Sequence, residues 1–293
     1  MPRYKIIVDS SCDIPEELSG KYDVDVADLI ITIGENEYKD RVDITPERLF
    51  AECERLDTTP HTSALNINDL ENLFTPVLEQ GYDHIFFMPI SSHISSIFNN
   101  ARLTVEMHEW QDRITVLDSS QLSSGIGLLL IGLGEDVNKG LSVDEIVKNH
   151  YDRVQKVSMS FVIDRLDYLY KGGRCNGMTY VFGNALSLHP IIHLEEGEMN
   201  VYKLVRDKGI KKGVDNQIDM FLDDYNNGNV DLSYPILIPN AVSPDGVKRI
   251  REKLKDTVGE KILFTADASG IICCHSGPNT AGLAYMMKHP RTK

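Results

Sequence analysis

The clearest pattern in the chain is a short apolar run that ends in serines and is followed by a helical repeat. Residues 85–90 are apolar, Ser91 and Ser92 end the run, and a helical pattern extends from about Ser95 to Trp110. Four to eight apolar residues closed by small polar ones are typical of a buried strand. Ser95 is suited to cap the helix, because its hydroxyl can accept a hydrogen bond from a free amide of the first turn.

Two further apolar runs end in paired serines in the same way. Residues 6–8 lead to serines at 10–11, and residues 114–117 lead to serines at 119–120. In an open parallel sheet, ligands bind at the carboxyl ends of the strands. The free amides at a helix N-terminus also favour an anion. The pattern predicts that the three serine-bearing strand ends form one polar pocket for a carboxylate or a phosphate.

The first half of the chain alternates predicted strands with predicted helices. Helix starts are indicated by Thr45-Pro46, by Asn66 or Asn68, and by the capping box Ser142-x-x-Glu145. Such alternation is typical of a doubly wound α/β unit. The sequence therefore predicts an α/β protein with a mostly parallel N-terminal sheet.

The pattern changes near the middle of the chain. Residues 157–163 alternate as a strand, and residues 191–194 and 199–204 flank a turn in which Gly197 supplies the bend. We expect an N-terminal α/β domain over residues 1–158. A C-terminal α/β domain with a mixed sheet follows over residues 159–293.

Three other segments of the second half carry predictions. Residues 181–188 form an apolar stretch, residues 270–274 have the composition of a strand, and residues 279–285 could open a final helix after the Gly277-Pro278 turn. His275 lies between the last two segments. Its imidazole could donate a hydrogen bond to an anion.

Charge and composition exclude several classes of function. The formal net charge is −14, whereas nucleic acids and anionic lipid surfaces require clustered basic residues. Five cysteines with no CxxC pair favour a reduced chain. Neither a signal peptide nor an apolar run of membrane-spanning length is found. We expect a cytoplasmic protein with no nucleic-acid partner and no stable membrane anchor.

The run Lys171-Gly-Gly-Arg174 ends a short helix predicted to begin at Arg165. Its local interpretation is a helix C-cap with cations at the negative end of the dipole. It is not a phosphate-binding loop, because the GxxxxGK spacing is missing. The basic run 203–212, with five Lys or Arg and one Asp, is typical of a solvated face, and it could also dock an acidic partner.

Taken in order, these segments resemble the DegV family, fatty-acid-binding proteins that serve as the lipid-carrying subunit of bacterial fatty acid kinase. Each motif alone is weak evidence, whereas seven in register over nearly the whole chain are specific. The matching segments are Val8-Asp-Ser-Ser-Cys-Asp-Ile14, Thr62-Ser63, Ser91-Ser-His-Ile-Ser95, Val116-Leu-Asp-Ser119 with Ser124-Gly-Ile-Gly127, Leu169-Tyr-Lys-Gly-Gly-Arg174, Leu188-His-Pro-Ile191 with Glu196-Gly197, and His275-Ser-Gly-Pro278.

The resemblance implies a DegV-like two-domain fold with one long-chain fatty acid between the domains. It implies that hydroxyls and an imidazole bind the carboxylate. By this resemblance Arg174 and Lys171 support that network or contact the kinase. The implied carboxylate ligands are Thr62, Ser63, Ser92, Ser95 and His275.

By the same resemblance the chain is a carrier and not a catalyst, with no metal and no cofactor beyond the bound fatty acid. A separate ATP-dependent kinase subunit would phosphorylate the carboxylate that this chain presents. The chain departs from the family pattern at Ser96 and Ile97, which replace Gly and Thr, and at Ala64-Leu65, which replace Gln-Pro. By the same resemblance, the changes at Ser96 and Ile97 reshape the wall beside the implied headgroup site, whereas the change at Ala64-Leu65 is tolerable because Asn66 can still cap a helix.

Two alternatives remain open from the sequence. The protein could carry or sense another small amphipathic acid, such as an isoprenoid acid. It could also be a stand-alone phosphotransferase or hydrolase that uses Asp9, Cys12 or His275, with Asp13 as a second carboxylate near the first strand. No nucleotide loop or metal set in the sequence supports that enzyme.

Overall fold

The computed structural model describes residues 2–176 and 187–291 of the chain. Its strands are β1 (Tyr4–Asp9), β2 (Val24–Ala27), β3 (Ile30–Ile33), β4 (Asn36–Lys39), β5 (His61–Ser63), β6 (His84–Met88), β7 (Ile114–Val116), β8 (Val157–Val162), β9 (Cys175–Asn176), β10 (Leu188–Glu195), β11 (Glu198–Arg206), β12 (Ile236–Ala241), β13 (Leu263–Asp267) and β14 (Thr280–Met286). Its α-helices are α1 (Glu16–Ser19), α2 (Pro46–Arg55), α3 (Ile67–Glu79), α4 (Ile97–Met107), α5 (Ser124–Asn138), α6 (Val143–Val154), α7 (Leu166–Gly172), α8 (Lys211–Asn226), α9 (Pro244–Val258) and α10 (Gly270–Ser276).

The strands form three sheets. A four-stranded sheet has the order β2-β1-β6-β7, and all of its pairs are parallel. A mixed seven-stranded sheet has the order β13-β12-β14-β8-β10-β11-β9, and a small antiparallel sheet has the order β4-β3-β5. The predicted α/β class, with a parallel sheet first and a mixed sheet second, is confirmed. The domain boundary between residues 158 and 159 stays a prediction.

One apolar core joins the two large sheets. It includes Ile7 and Phe86 of the parallel sheet together with Met159, Phe161 and Ala284 of the mixed sheet. Burying such side chains contributes about 1.5–3 kcal/mol each. A separate core packs α8 against the other face of the mixed sheet. The first core therefore brings the carboxyl end of β6 close to β8 and β11.

The predicted helix starts in the first half are confirmed by their caps. Asn66 and Ser142 each form a complete capping box, and Thr45 accepts a hydrogen bond from the amide of Arg48. At the other end of a helix, Gly173 closes α7 with φ +65°. Glycine reaches this left-handed conformation without steric cost, so the C-cap interpretation of the glycine pair is correct.

The predicted start of the helix after β6 was two residues early. The carbonyl of Ser91 accepts hydrogen bonds from the amides of Ile94 (3.0 Å) and Ser95 (3.1 Å). The chain therefore completes a turn before α4 begins at Ile97, and Ser96 occupies the N-cap position. The helix ends at Met107, before the predicted limit of Trp110.

Two predictions near the C-terminus were wrong. Residues 270–276 form helix α10 instead of a strand, because the side chain of Ser269 caps its first turn by accepting from the amide of Ile272. Residues 280–286 form strand β14 instead of a helix, since this entirely buried run pairs with β12 on one side and β8 on the other. The predicted apolar stretch 181–188 lies, up to residue 186, outside the described residues.

Candidate functional site

A cavity of about 490 Å³ lies between the two halves of the molecule. This volume falls in the range of roughly 300–1,000 Å³ that is typical of ligand pockets. Residues from the loop after β6, from β5, from the mixed sheet and from α10 line it. Much of its wall is apolar and includes Ile97, Met159, Phe161, Leu169, Met199 and Ile271.

The wall of the cavity contains a hydrogen-bonded pair of residues that are 213 positions apart in the sequence. Thr62 Oγ1 lies 3.0 Å from His275 Nε2. Thr62 is the central residue of β5, which pairs with β3 in the first half, and His275 lies in the last turn of α10. The structure therefore brings together a hydroxyl and an imidazole that the family resemblance implied as carboxylate ligands.

The imidazole of His275 is neutral at physiological pH. Burial lowers the pKa of His275 to about 4, and the positive charge of Arg174 acts in the same direction. Nδ1 is buried and has no hydrogen-bond partner among the described residues. A buried lone pair without a partner is more readily tolerated than an orphaned N–H. We therefore assign the proton to Nε2, which donates to Thr62 and leaves the threonine hydroxyl hydrogen for a ligand.

Ser92 lines the cavity, but its hydroxyl already has an acceptor. Ser92 Oγ donates to Asp118 Oδ2 (2.5 Å), and the amide of Ser92 donates to Asp118 Oδ1 (3.1 Å). The carbonyl of Asp118 in turn accepts from His150 Nε2. Ser92 thus anchors the loop after β6 to the end of β7, and its role as a carboxylate donor stays a prediction.

Ser95 and Ser63 also line the cavity. Ser95 Oγ accepts from the amide of Ile97 over 3.4 Å, an interaction that uses a lone pair of the oxygen and leaves the hydroxyl hydrogen available. Ser63 is exposed at the end of β5. Ser95 and Ser96, which also lines the cavity, are therefore the serines of this loop whose hydroxyl hydrogens have no protein acceptor among the described residues.

The two cations of the glycine run have different locations. Arg174 is exposed, lines the cavity and donates from Nη1 to the carbonyl of Gly172 over 2.5 Å. Lys171 lies instead at a neighbouring polar depression, beside Asp167 and Tyr168. The structure therefore places Arg174 at the predicted site and Lys171 outside it.

The prediction that three serine-bearing strand ends form one pocket was only partly correct. Ser10 and Ser11, after β1, are completely buried and do not line the cavity. They belong to a structural network in which Asp9 accepts from Ser11 and from the amide of Ile90 (2.8 Å). Among the serines at 119–124, only Ser123 reaches the cavity wall.

Three other hydroxyls of the wall are already committed to protein acceptors. Ser123 Oγ donates to Asp13 (2.5 Å), Thr280 Oγ1 donates to the carbonyl of Ser276 (2.9 Å), and Ser276 Oγ donates to the carbonyl of Gly277. No signal in the sequence marked these residues as part of the cavity. Among the described residues, the hydroxyl hydrogens of the wall that remain available to a ligand are those of Thr62, Ser63, Ser95 and Ser96.

The residues of the alternative enzymatic interpretation lie elsewhere, with the exception of His275. Asp9 and Cys12 are buried outside the cavity lining, and burial raises the pKa of both side chains. In the described ranges, no cluster of three His, Cys, Asp or Glu side chains could hold a metal ion. Within the same ranges, every helix is too short or too polar to cross a membrane.

Comparisons with known proteins agree with this architecture. A protein family model described as "Uncharacterised protein, DegV family" matches residues 3–288. A DegV domain-containing protein from Clostridium perfringens is 29% identical over 289 residues, which cover 99% of this chain and 100% of the relative.

Solved structures of similar proteins share the fold. The structure of a fatty-acid-binding DegV family protein from Thermus thermophilus has a TM-score of 0.87 and 25% identity to this chain. The match covers 97% of this chain and 99% of that one. The Streptococcus pneumoniae Fatty Acid Kinase (Fak) B3 protein loaded with linoleic acid has a TM-score of 0.81 and 20% identity, covering 98% and 100%. At 20% identity the second likeness shows the fold alone. The family model spans nearly the whole chain, and the protein therefore belongs to the DegV family.

Proposed function

We propose that the protein binds a long-chain fatty acid in this cavity, with the carboxylate at the Thr62–His275 pair. The observation that carries the proposal is the presence of this neutral hydrogen-bonded pair in the wall of a largely apolar cavity. The fatty acid binding described for the Thermus relative supports it.

Binding energy and orientation come from different parts of the cavity. Each buried methylene contributes about 0.8 kcal/mol, so the acyl chain provides most of the gross affinity. Thr62, Ser95 and Arg174 donate hydrogen bonds to the carboxylate and determine which end of the lipid lies at the rim. Hydroxyls and a guanidinium donate hydrogen bonds without giving up their protons to a carboxylate, so the carboxylate keeps its negative charge and its ability to attack an electrophile.

The chemistry of the site fits a carrier better than an enzyme that works alone. With the pKa of His275 at about 4, the imidazole is a weak general base at neutral pH. Its Nε2–H acts instead as a fixed donor to Thr62. Asp9 and Cys12, the other candidate groups, lie outside the cavity lining.

On this proposal a separate ATP-dependent kinase in the cytoplasm phosphorylates the presented carboxylate. The name of the Streptococcus protein, which assigns it to a fatty acid kinase, supports this step by analogy of fold. Arg174 is exposed and lines the cavity. Its remaining N–H groups are suited to the charge of a phosphoryl group or of an acidic partner residue.

Two measurements test the binding proposal. Mass spectrometry of a solvent extract of the purified protein should detect a co-purified fatty acid. Calorimetry on delipidated protein should show tight binding of oleate and at least tenfold weaker binding of methyl oleate. A clean extract together with no binding of oleate would contradict the proposal. Stronger thermal stabilisation by an isoprenoid acid than by oleate would show that the ligand class is wrong.

A further inference from the structure

Helix α10 connects strands β13 and β14 of the mixed sheet, but its first amides are bound by carboxylates from the first half of the chain. Asp13 Oδ1 accepts from the amide of Ser269 at 2.8 Å. Asp40 Oδ1 accepts from the amide of Gly270 at 2.8 Å, and Asp40 Oδ2 lies 3.5 Å from the amide of Ile271. Two carboxylates thus hold the beginning of the helix that carries His275.

Both carboxylates are completely buried and are fixed from their own side. Arg41 Nη2 donates to Asp13 Oδ1 at 3.1 Å, and Ser123 Oγ donates to Asp13 Oδ2. The amide of Asp40, just after β4, donates to the carbonyl of Leu29 at 2.9 Å. Burying carboxylates is costly unless they are hydrogen-bonded, and amides at a helix start are good donors for them.

The close approach of Asp40 to the helix requires glycine at position 270. A β-carbon there would lie 2.8 Å from Asp40 Oδ1 and 2.6 Å from Ile31 Cδ1. Carbon atoms need about 3.5 Å. The carboxylate of Asp40 therefore reaches the backbone amide of Gly270 only because no side chain stands in its way.

The position of His275 depends on this anchorage. The helix has seven residues and a length of about 10 Å, and helices this short are not stable on their own in water. Holding its first turn therefore sets the position of the imidazole in its last turn. Thr62, the partner of that imidazole, belongs to the same half as Asp13 and Asp40.

We propose that Asp40, assisted by Asp13, is a positioning residue that places His275 against Thr62 and so determines how the fatty acid carboxylate is bound. The inference rests on the proposed function for its ligand. A purely structural role of Asp40 would change the affinities for all ligands together. A positioning role lowers the affinity for oleate, which has a carboxylate, and leaves the affinity for methyl oleate, which has only the same tail, nearly unchanged.

The experiment compares Asp40→Asn with the wild type and with Asp43→Asn. Asp43 is the matched control, because its carboxylate accepts from the amide of Lys39 in the same turn and does not contact α10. Calorimetry measures oleate and methyl oleate. We expect Asp40→Asn to lower oleate affinity at least tenfold and methyl oleate affinity less than twofold, with no change in Asp43→Asn. An unchanged ratio of the two affinities in Asp40→Asn would overturn the inference.

A second readout is independent of the ligand. The nitrogen resonances of His275, assigned in ¹⁵N-histidine-labelled protein with the His275→Gln variant, should shift in Asp40→Asn and remain unchanged in Asp43→Asn. An unshifted His275 resonance in Asp40→Asn would overturn the positioning role, whatever the ligand is. If the wild type failed to prefer oleate over methyl oleate, that result would contradict only the proposed function. If Asp40→Asn does not fold, Asp13→Asn is measured in the same way, with the same outcomes deciding.

Discussion

The ring of His275 lies against the backbone of Gly172, so that a β-carbon at residue 172 would stand 2.5 Å from Nδ1. The first glycine of the Lys171-Gly-Gly-Arg174 run thus forms the surface on which the imidazole rests. The second glycine, Gly173, ends α7 by adopting a positive φ. The two glycines of one motif therefore have different physical tasks.

Replacing Gly172 by alanine should displace the imidazole from Thr62. We expect the affinity for oleate to fall about tenfold, the loss of roughly one hydrogen bond to a charged group, while the affinity for methyl oleate is retained. Gly209→Ala is the matched control, because no atom lies within 4 Å of a β-carbon there. Equal oleate affinities of Gly172→Ala and Gly209→Ala in calorimetry would contradict this contact.

Ser92 and Ser95 should respond differently to alanine. Ser92→Ala removes a hydrogen bond to the carboxylate of Asp118, and we expect it to lower the free energy of unfolding by about 1.5–3 kcal/mol. Ser95→Ala removes a free hydroxyl donor and the 3.4 Å contact with the amide of Ile97, and we expect about tenfold weaker oleate binding with a smaller loss of stability than in Ser92→Ala. Urea titration and calorimetry measure the two quantities. A larger loss of oleate affinity in Ser92→Ala at unchanged stability would make Ser92 the donor instead.

The pH dependence of stability should reveal the neutral imidazole. The pKa of His275 in the folded protein is about 4, below its ordinary value of about 6.5 in an unfolded chain. The unfolded state therefore binds more protons in this window, and stability is lost as the pH falls from about 6.5 to about 4.

Urea titrations at pH 7 and pH 5 measure this effect. His275→Gln should lose less stability between these pH values than the wild type, while His289→Gln, a change at an exposed histidine, should behave like the wild type. An equal pH dependence in His275→Gln and the wild type would show that the imidazole is not held neutral.

Arg174 and Lys171 provide a matched pair for the presentation step. Arg174 is at the cavity and Lys171 is not, although both are exposed cations. We expect Arg174→Ala to lower phosphorylation of bound oleate by the kinase subunit at least tenfold and to weaken oleate binding less. Lys171→Ala should change neither. Equal losses of binding and phosphorylation in Arg174→Ala would assign the arginine to the carboxylate alone.

Short-range signals in the sequence identified much of the fold. The caps at Asn66 and Ser142 define helix starts because a side chain satisfies amides only three residues away. The segment 270–276 has no such unambiguous pattern, since a short apolar run suits a strand and a buried helix equally. Its helical form depends on Ser269 and on distant carboxylates that no local pattern reveals.

The site was predictable to a similar extent. Thr62, Ser95 and His275 stand in motifs, but the contact that joins the first and last of them depends on the packing of the whole chain. The buried strand end at Ser10 and Ser11 resembles a ligand-binding strand end in sequence. The reason is that serine supplies both the hydroxyls that hydrogen-bond to buried carboxylates and the hydroxyls that bind ligands. The apolar wall left no motif, since contacts with an acyl chain are not directional.

A crystal structure with a fatty acid brominated at its terminal carbon tests the central claim most directly. The anomalous signal of bromine locates the tail, and the electron density locates the carboxylate. We expect the carboxylate within hydrogen-bonding distance of Thr62 Oγ1 and the bromine among apolar residues of the wall. A carboxylate bound away from Thr62 and His275, or a bromine beside these two residues, would contradict the account.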